Sequence, residues 1–123
     1  MEANAKLLVI VEDDADVRLL TRALLDKDPG IDVAAGAVSA EDALTLCQTV
    51  EPDLIIQDHR LSGEMSGLEA AALLKEQAPN SLIVVFSAFD IAEQANANPA
   101  VDAFVSKRDL TQLLPTVRRL LDL

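Results

Sequence analysis

Short runs of Val, Ile and Leu alternate along the chain with longer segments of helical periodicity, the pattern of successive βαβ units around a parallel sheet. Strands are predicted near residues 6–11, 31–36, 53–57, 82–87 and 103–106. Four of these runs close on polar side chains: Leu7 to Val11 run into Glu12-Asp13-Asp14, Leu54 to Gln57 into Asp58, Leu82 to Phe86 into Ser87, and Phe104-Val105-Ser106 into Lys107. In a parallel sheet such ends share one edge, and that edge is where open α/β sheets place their ligand site.

The gaps read as helices. The first is predicted from about 14 to 27, with Val17, Leu20 and Leu24 at helical spacing and a stop before Pro29-Gly30. Ser39-Ala40-Glu41-Asp42 opens the second, with a capping Ser and acids at the positive end of the helix dipole, and Glu51-Pro52 ends it. Ser66-Gly67-Leu68-Glu69 is a capping box for the third, which Pro79-Asn80 closes. Asp90 is expected to cap a fourth helix, short and weak because Asn96, Asn98 and Pro99 crowd its end. The last should bury Leu110, Leu113, Leu114, Val117 and Leu121, with Pro115 near enough to its first turn to be tolerated or to kink it.

Composition bounds the function. The 123 residues, half of them apolar, hold one ordinary domain with room for a real core, so a single domain over 1–123 with no output domain is expected. No window approaches a membrane span, and Met1-Glu2-Ala3-Asn4 leads into a strand rather than a signal peptide, which points to a cytoplasmic protein away from membranes. A net charge of -11 repels nucleic-acid phosphates and argues against direct DNA or RNA binding; Arg118-Arg119 reads as a solvated helix face. Cys47, the one cysteine, reads as a small hydrophobe in a helix.

In the doubly wound order 2-1-3-4-5, strands 1 and 3 are neighbours at the switch point, so Glu12, Asp13 and Asp58 converge. Three carboxylates that close need protonation or a hard divalent cation such as Mg²⁺ (or Mn²⁺). Asp58 is then the candidate nucleophile toward a phosphoryl group, and the Ser87 hydroxyl and Lys107 ammonium are donors for the transferred charge.

At these positions the chain resembles the receiver domain of two-component response regulators. The resemblance spans essentially the whole chain and rests on Val11-Glu12-Asp13-Asp14, Ile56-Gln57-Asp58-His59-Arg60-Leu61, Phe86-Ser87-Ala88 and Phe104-Val105-Ser106-Lys107. It implies a flavodoxin-like three-layer sandwich, and transfer of a phosphoryl group from the phosphohistidine of a histidine kinase or histidine phosphotransfer protein to Asp58, followed by slow hydrolysis. It also implies Mg²⁺ ligation by Asp13, Asp58 and the backbone carbonyl of Arg60, with Glu12 acting mainly through a coordinated water. Ser87 and Lys107 would hold phosphoryl oxygens. Ser87 and Phe104 would form the switch that remodels the helix 4, strand 5 and helix 5 surface for a downstream effector or output domain, and any phosphorylation-dependent dimer would use that face. Arg60 and Phe89 would tune phosphoryl lifetime, and no outside substrate would be turned over.

Several positions depart from the family pattern. Arg108 replaces the usual Pro after Lys107, which removes the usual basis for a cis peptide there. Ser62 stands where Pro is common, and Ser62 to Gly67 looks one residue longer than the usual turn. The stretch from Ser87 to Lys107 looks about two residues shorter than usual, in line with a weak fourth helix. Phe104 carries no hydroxyl, so a switch built on it rests on packing alone.

Taken singly the residues have plainer readings: Asp13 and Asp14 as helix caps, Asp58 and Ser87 as polar strand ends, Lys107 as a solvated lysine, His59 as an exposed loop residue. Their joint order at successive strand ends favours the receiver. A receiver-fold docking module acting without phosphorylation is the alternative. A phosphohydrolase is disfavoured because Arg60 stands where its second acid is usual, and a flavin site because the loop after strand 1 is acidic.

Overall fold

The structure, a computed structural model, describes residues 5–59 and 65–123. Strands β1 (Lys6–Val11), β2 (Ile31–Ala37), β3 (Leu54–Gln57), β4 (Leu82–Ser87) and β5 (Ala103–Ser106) alternate with helices α1 (Ala15–Leu25), α2 (Ala40–Leu46), α3 (Gly67–Gln77), α4 (Ala92–Ala97) and α5 (Leu113–Leu120). The strands form one parallel sheet in the order β2-β1-β3-β4-β5, the doubly wound arrangement expected from the alternating pattern.

Strand alternation gives the sheet two apolar faces. On one, Leu8, Ile10, Leu54, Ile56, Val84, Phe86 and Val105 pack with Leu25, Leu113 and Val117. On the other, Val9, Val11, Ile55 and Ile83 pack with Ala40, Ala43, Ala70, Ala71 and Leu74, whose small side chains bring α2 and α3 close to the sheet. Asp14 caps α1 by accepting from Asp16 N at 2.9 Å and Val17 N at 3.2 Å. Ser39 caps α2, and both halves of the Ser66/Glu69 capping box form on α3.

Several boundaries differ from expectation. The chain leaves α1 at Leu25, and its buried residues are Thr21 and Leu25, while Leu20 is 48% exposed. The second helix stops well before Glu51-Pro52: Gln48 N and Thr49 N reach back only three residues, to Thr45 O and Leu46 O, which tightens and ends the helix. Asp90 does not cap α4. The cap position is Ile91, with no side-chain bond, because Ile91 N first closes a tight turn onto Phe89 O. Leu110 is 38% exposed, since it sits in a 3-10 turn (Leu110–Gln112) that precedes α5 and is off that helix's inner face. Pro115 falls in the first turn of α5, where its missing N–H costs nothing. No described peptide bond is cis, the Lys107 to Arg108 bond included.

Candidate functional site: an acidic cleft at the carboxyl end of the sheet

Backbone ladders run one residue past the strand ends and fix the side chains that follow. Glu12 N donates to Ala37 O at 2.9 Å, Asp58 N to Val11 O at 3.0 Å, and Lys107 N to Ser87 O at 2.9 Å. The carboxylates of Glu12, Asp13 and Asp58 consequently lie within 4.8 Å of one another. Glu12 and Asp58 are buried and Asp13 is exposed at the mouth. The Lys107 ammonium bridges the two buried acids. It pairs with Glu12 Oε1, lies 3.3 Å from Asp58 Oδ2, and stands 5.8 Å from the centre of the Phe86 ring. Glu12, Asp13, Asp58 and Lys107, together with Val17, Ala88 and Phe89, line an open cleft of about 370 Å³.

Burial pushes the Glu12 carboxyl above its ordinary range; the Lys107 hydrogen bond pulls it down, and the neighbouring Asp58 charge raises it further. Burial lowers Lys107, but its hydrogen bond with Glu12 and the charges of Asp58 and Glu12 outweigh that effect and leave it above its ordinary value. Lys107 is therefore a firm cation at neutral pH. Two acids at close quarters with a third at the rim form a hard-oxygen donor set of the kind Mg²⁺ takes.

Ser87 is fully buried at the end of β4, and its Oγ accepts from Phe89 N at 3.1 Å. Phe104 is half-buried on β5, opposite Val85. Phe89 is 43% exposed at the rim, its ring edge-on to His59 at 6.4 Å between centroids. His59, expected as an exposed loop residue, is half-buried there instead. Arg60, both as carbonyl ligand and as lifetime residue, and the turn at Ser62 lie outside the described residues.

Two supports escaped the sequence reading. Arg18 reaches from α1 to donate from Nη1 to Glu12 O at 2.7 Å, and Gly36 makes room for it: a Cβ at 36 would meet Arg18 Cδ at 2.9 Å. A glycine inside a strand signals such a close approach, so Gly36 was the available clue.

A 2-1-3-4-5 parallel sheet with an acid cluster, a buried hydroxyl and a lysine at its carboxyl edge defines the receiver class. The family model for the response regulator receiver domain matches residues 8–118, and the chain belongs to that family. It is 37% identical over 83 residues to the protein-glutamate methylesterase/protein-glutamine glutaminase 2 of Paramagnetospirillum magneticum, covering 68% of this chain and 23% of that one. It is 32% identical over 80 residues to the nitrate/nitrite response regulator protein NarL of Escherichia coli K12, covering 65% of this chain and 37% of that one. The chain thus spans well under half the length of these relatives. A LuxR-family DNA-binding response regulator from Staphylococcus aureus superposes with a TM-score of 0.83 at 26% identity, over 94% of this chain and 98% of that one. The response regulator domain of Thermotoga maritima CheB shares the fold, with a TM-score of 0.84 at 20% identity over 97% and 98% of the two chains. Among the described residues no helix is long and apolar enough to cross a membrane.

Proposed function

We propose that the chain is a phospho-accepting switch in which Asp58 takes a phosphoryl group from the phosphohistidine of a histidine kinase or phosphotransfer protein. The observation that carries this reading is the gathering of Glu12, Asp13 and Asp58 within 4.8 Å, with Lys107 reaching the two buried acids. An Asp58 carboxylate oxygen attacks phosphorus, a P–O bond forms, and the P–N bond breaks with its electron pair left on the imidazole nitrogen. Asp13 and Asp58, with Glu12 behind them, would hold Mg²⁺, which when bound supplies positive charge to the transferring oxygens and screens the acids from one another. Lys107 holds its ammonium at the phosphoryl side of Asp58, and the Ser87 hydroxyl is the nearby neutral donor.

Phosphorylation then acts by drawing Ser87 toward the new charge and letting Phe104, half-buried on β5 and diagonal to Ser87, follow by packing alone. The readout is the surface of α4, β5 and α5, offered to a downstream effector or output domain, with dimerisation through the same face as one use of it. The domain is regulatory, with no outside substrate, and acts in the cytoplasm. Phe89 at the rim, and Arg60, set the lifetime of the phosphoryl group. Incubation with a phosphohistidine donor and Mg²⁺ should move the label to this chain and to no Asp58→Asn variant. Transfer to the Asp58→Asn chain would overturn the assignment, and complete absence of transfer would favour the phosphorylation-independent docking module.

A further inference from the structure

Among the described residues, three buried side-chain atoms have no hydrogen-bond partner in the protein: Nε2 and Oε1 of Gln57 and Nδ1 of His59. Gln57 is 0% exposed, and both ends of its amide are bare. An unpaired buried polar group destabilises the fold, because it gives up its water partners and gains none. A Met or Leu would fill the position without that cost, and the other three residues of β3 are Leu54, Ile55 and Ile56. The amide stands at the last residue of the strand, immediately before Asp58.

Strand register identifies what it faces. Val11, Gln57, Val85 and Phe104 form one cross-strand row over β1, β3, β4 and β5. Alternation puts Gln57 on the same side of the sheet as Ile55 and Ile83, which pack together in one core cluster. Ser87, two residues beyond Val85, is on that side of β4 as well and is the diagonal neighbour of Gln57. Strands about 4.8 Å apart with about 6.6 Å per two residues make that diagonal about 8 Å between backbones, a gap that a glutamine arm and a seryl hydroxyl can close. In the structure Ser87 Oγ is instead engaged by Phe89 N at 3.1 Å.

We propose that Gln57 is a positioning residue for Ser87. When the Ser87 hydroxyl turns to donate its hydrogen to a phosphoryl oxygen on Asp58, its oxygen accepts from Gln57 Nε2, so that arrangement pairs the amide nitrogen that is otherwise bare. An interaction present in only one of two states biases the equilibrium toward it, and Gln57 thereby strengthens the coupling between phosphorylation and the movement of Ser87. The inference rests on Asp58 being the phospho-acceptor.

The test uses the full chain, with Mg²⁺ and beryllofluoride as the probe of the loaded state. Melting temperatures are measured with and without the probe for wild type, Gln57→Met, Ser87→Ala and the double variant, with Gln57→Leu as a second substitution should Met pack badly. The wild type should melt higher with the probe. Gln57→Met should raise the melting temperature without the probe and cut the probe-induced gain to less than half. In the Ser87→Ala background it should leave that gain unchanged, since coupling between two residues appears as non-additivity. An equal cut in both backgrounds, or no cut in either, would overturn the role of Gln57 while leaving the phospho-acceptor reading standing. No probe-induced gain in the wild type would overturn that reading and this inference with it.

Discussion

Gly67 and Asp58 are in backbone contact: a Cβ on residue 67 would fall 2.1 Å from the Asp58 carbonyl oxygen and 2.6 Å from His59 Cα. Gly67 N also donates to His59 O at 2.6 Å, which fastens the first turn of α3 to the segment that carries the Asp58 carboxylate. Backbone cannot yield here as a flexible side chain would. Gly67→Ala is therefore expected to lose about 1–3 kcal/mol of stability and to slow phosphoryl uptake. Thermal melting together with the rate of labelling by acetyl phosphate measures both, and wild-type behaviour in both would contradict the contact.

Lys107 is the counter-charge to Glu12 and Asp58. Lys107→Met leaves two buried carboxylates facing each other, at a cost of up to about 3 kcal/mol in metal-free protein. A divalent cation should restore most of that loss, because it supplies the missing charge to the same oxygens. Melts in EDTA and in Mg²⁺ would show it, and an equal loss in both media would mean that Lys107 acts through packing.

Glu12 gives the site a pH dependence. Its folded pKa is raised above 4.5, chiefly by burial, so the folded state keeps the proton to higher pH than the unfolded chain does. The contribution is full below 4.5 and is lost as pH rises through the raised folded value. At neutral pH, well above the unfolded value, the raised folded pKa is thus a net cost in metal-free protein. Glu12→Gln should melt above wild type there, with the difference shrinking toward about pH 4. A difference that stays constant over this range would contradict the linkage. Lys107 has the same sign in a higher window: its contribution persists at neutral pH and is lost only as pH rises from 10.5 through its raised folded value.

Gly36→Ala tests the support behind the acid loop. The new methyl group would displace Arg18 from Glu12 O, so Mg²⁺ should bind several-fold more weakly while the fold persists on its intact core. Arg18→Met should do the same, and titration calorimetry would detect either. Unchanged Mg²⁺ affinity in both variants would show that the acid loop holds its shape without Arg18.

The sheet and the acid cluster were legible because they depend on periodicity and chain order. Five apolar runs at βα spacing mark an alternating α/β chain, and the adopted order 2-1-3-4-5, which the sheet shows, brings Glu12 to Lys107 across 95 positions of sequence. Helix ends were less legible. Pro52 marks the last place α2 could stop, whereas Thr45 and Thr49, bonding to the carbonyls of Glu41 and Leu46, mark where the helix weakens and stops. Asp90 has the right chemistry for a cap and the wrong place, since the turn from Phe89 to Ile91 comes between it and α4. Arg18 carries no signal in the sequence, because its partner is a backbone carbonyl, that of Glu12, outside its own helix. Gln57 passed as part of an apolar run, because a polar residue at a strand end attracts notice only once its burial is seen.

The central claim is that Asp58 is the phospho-acceptor, and intact mass spectrometry after incubation with acetyl phosphate and Mg²⁺ tests it most directly. A single added phosphoryl group is expected that requires Mg²⁺, is absent in Asp58→Asn and disappears with time after the donor is removed. An adduct that survives in Asp58→Asn, or the absence of any adduct in a wild-type chain shown to bind Mg²⁺, would contradict it.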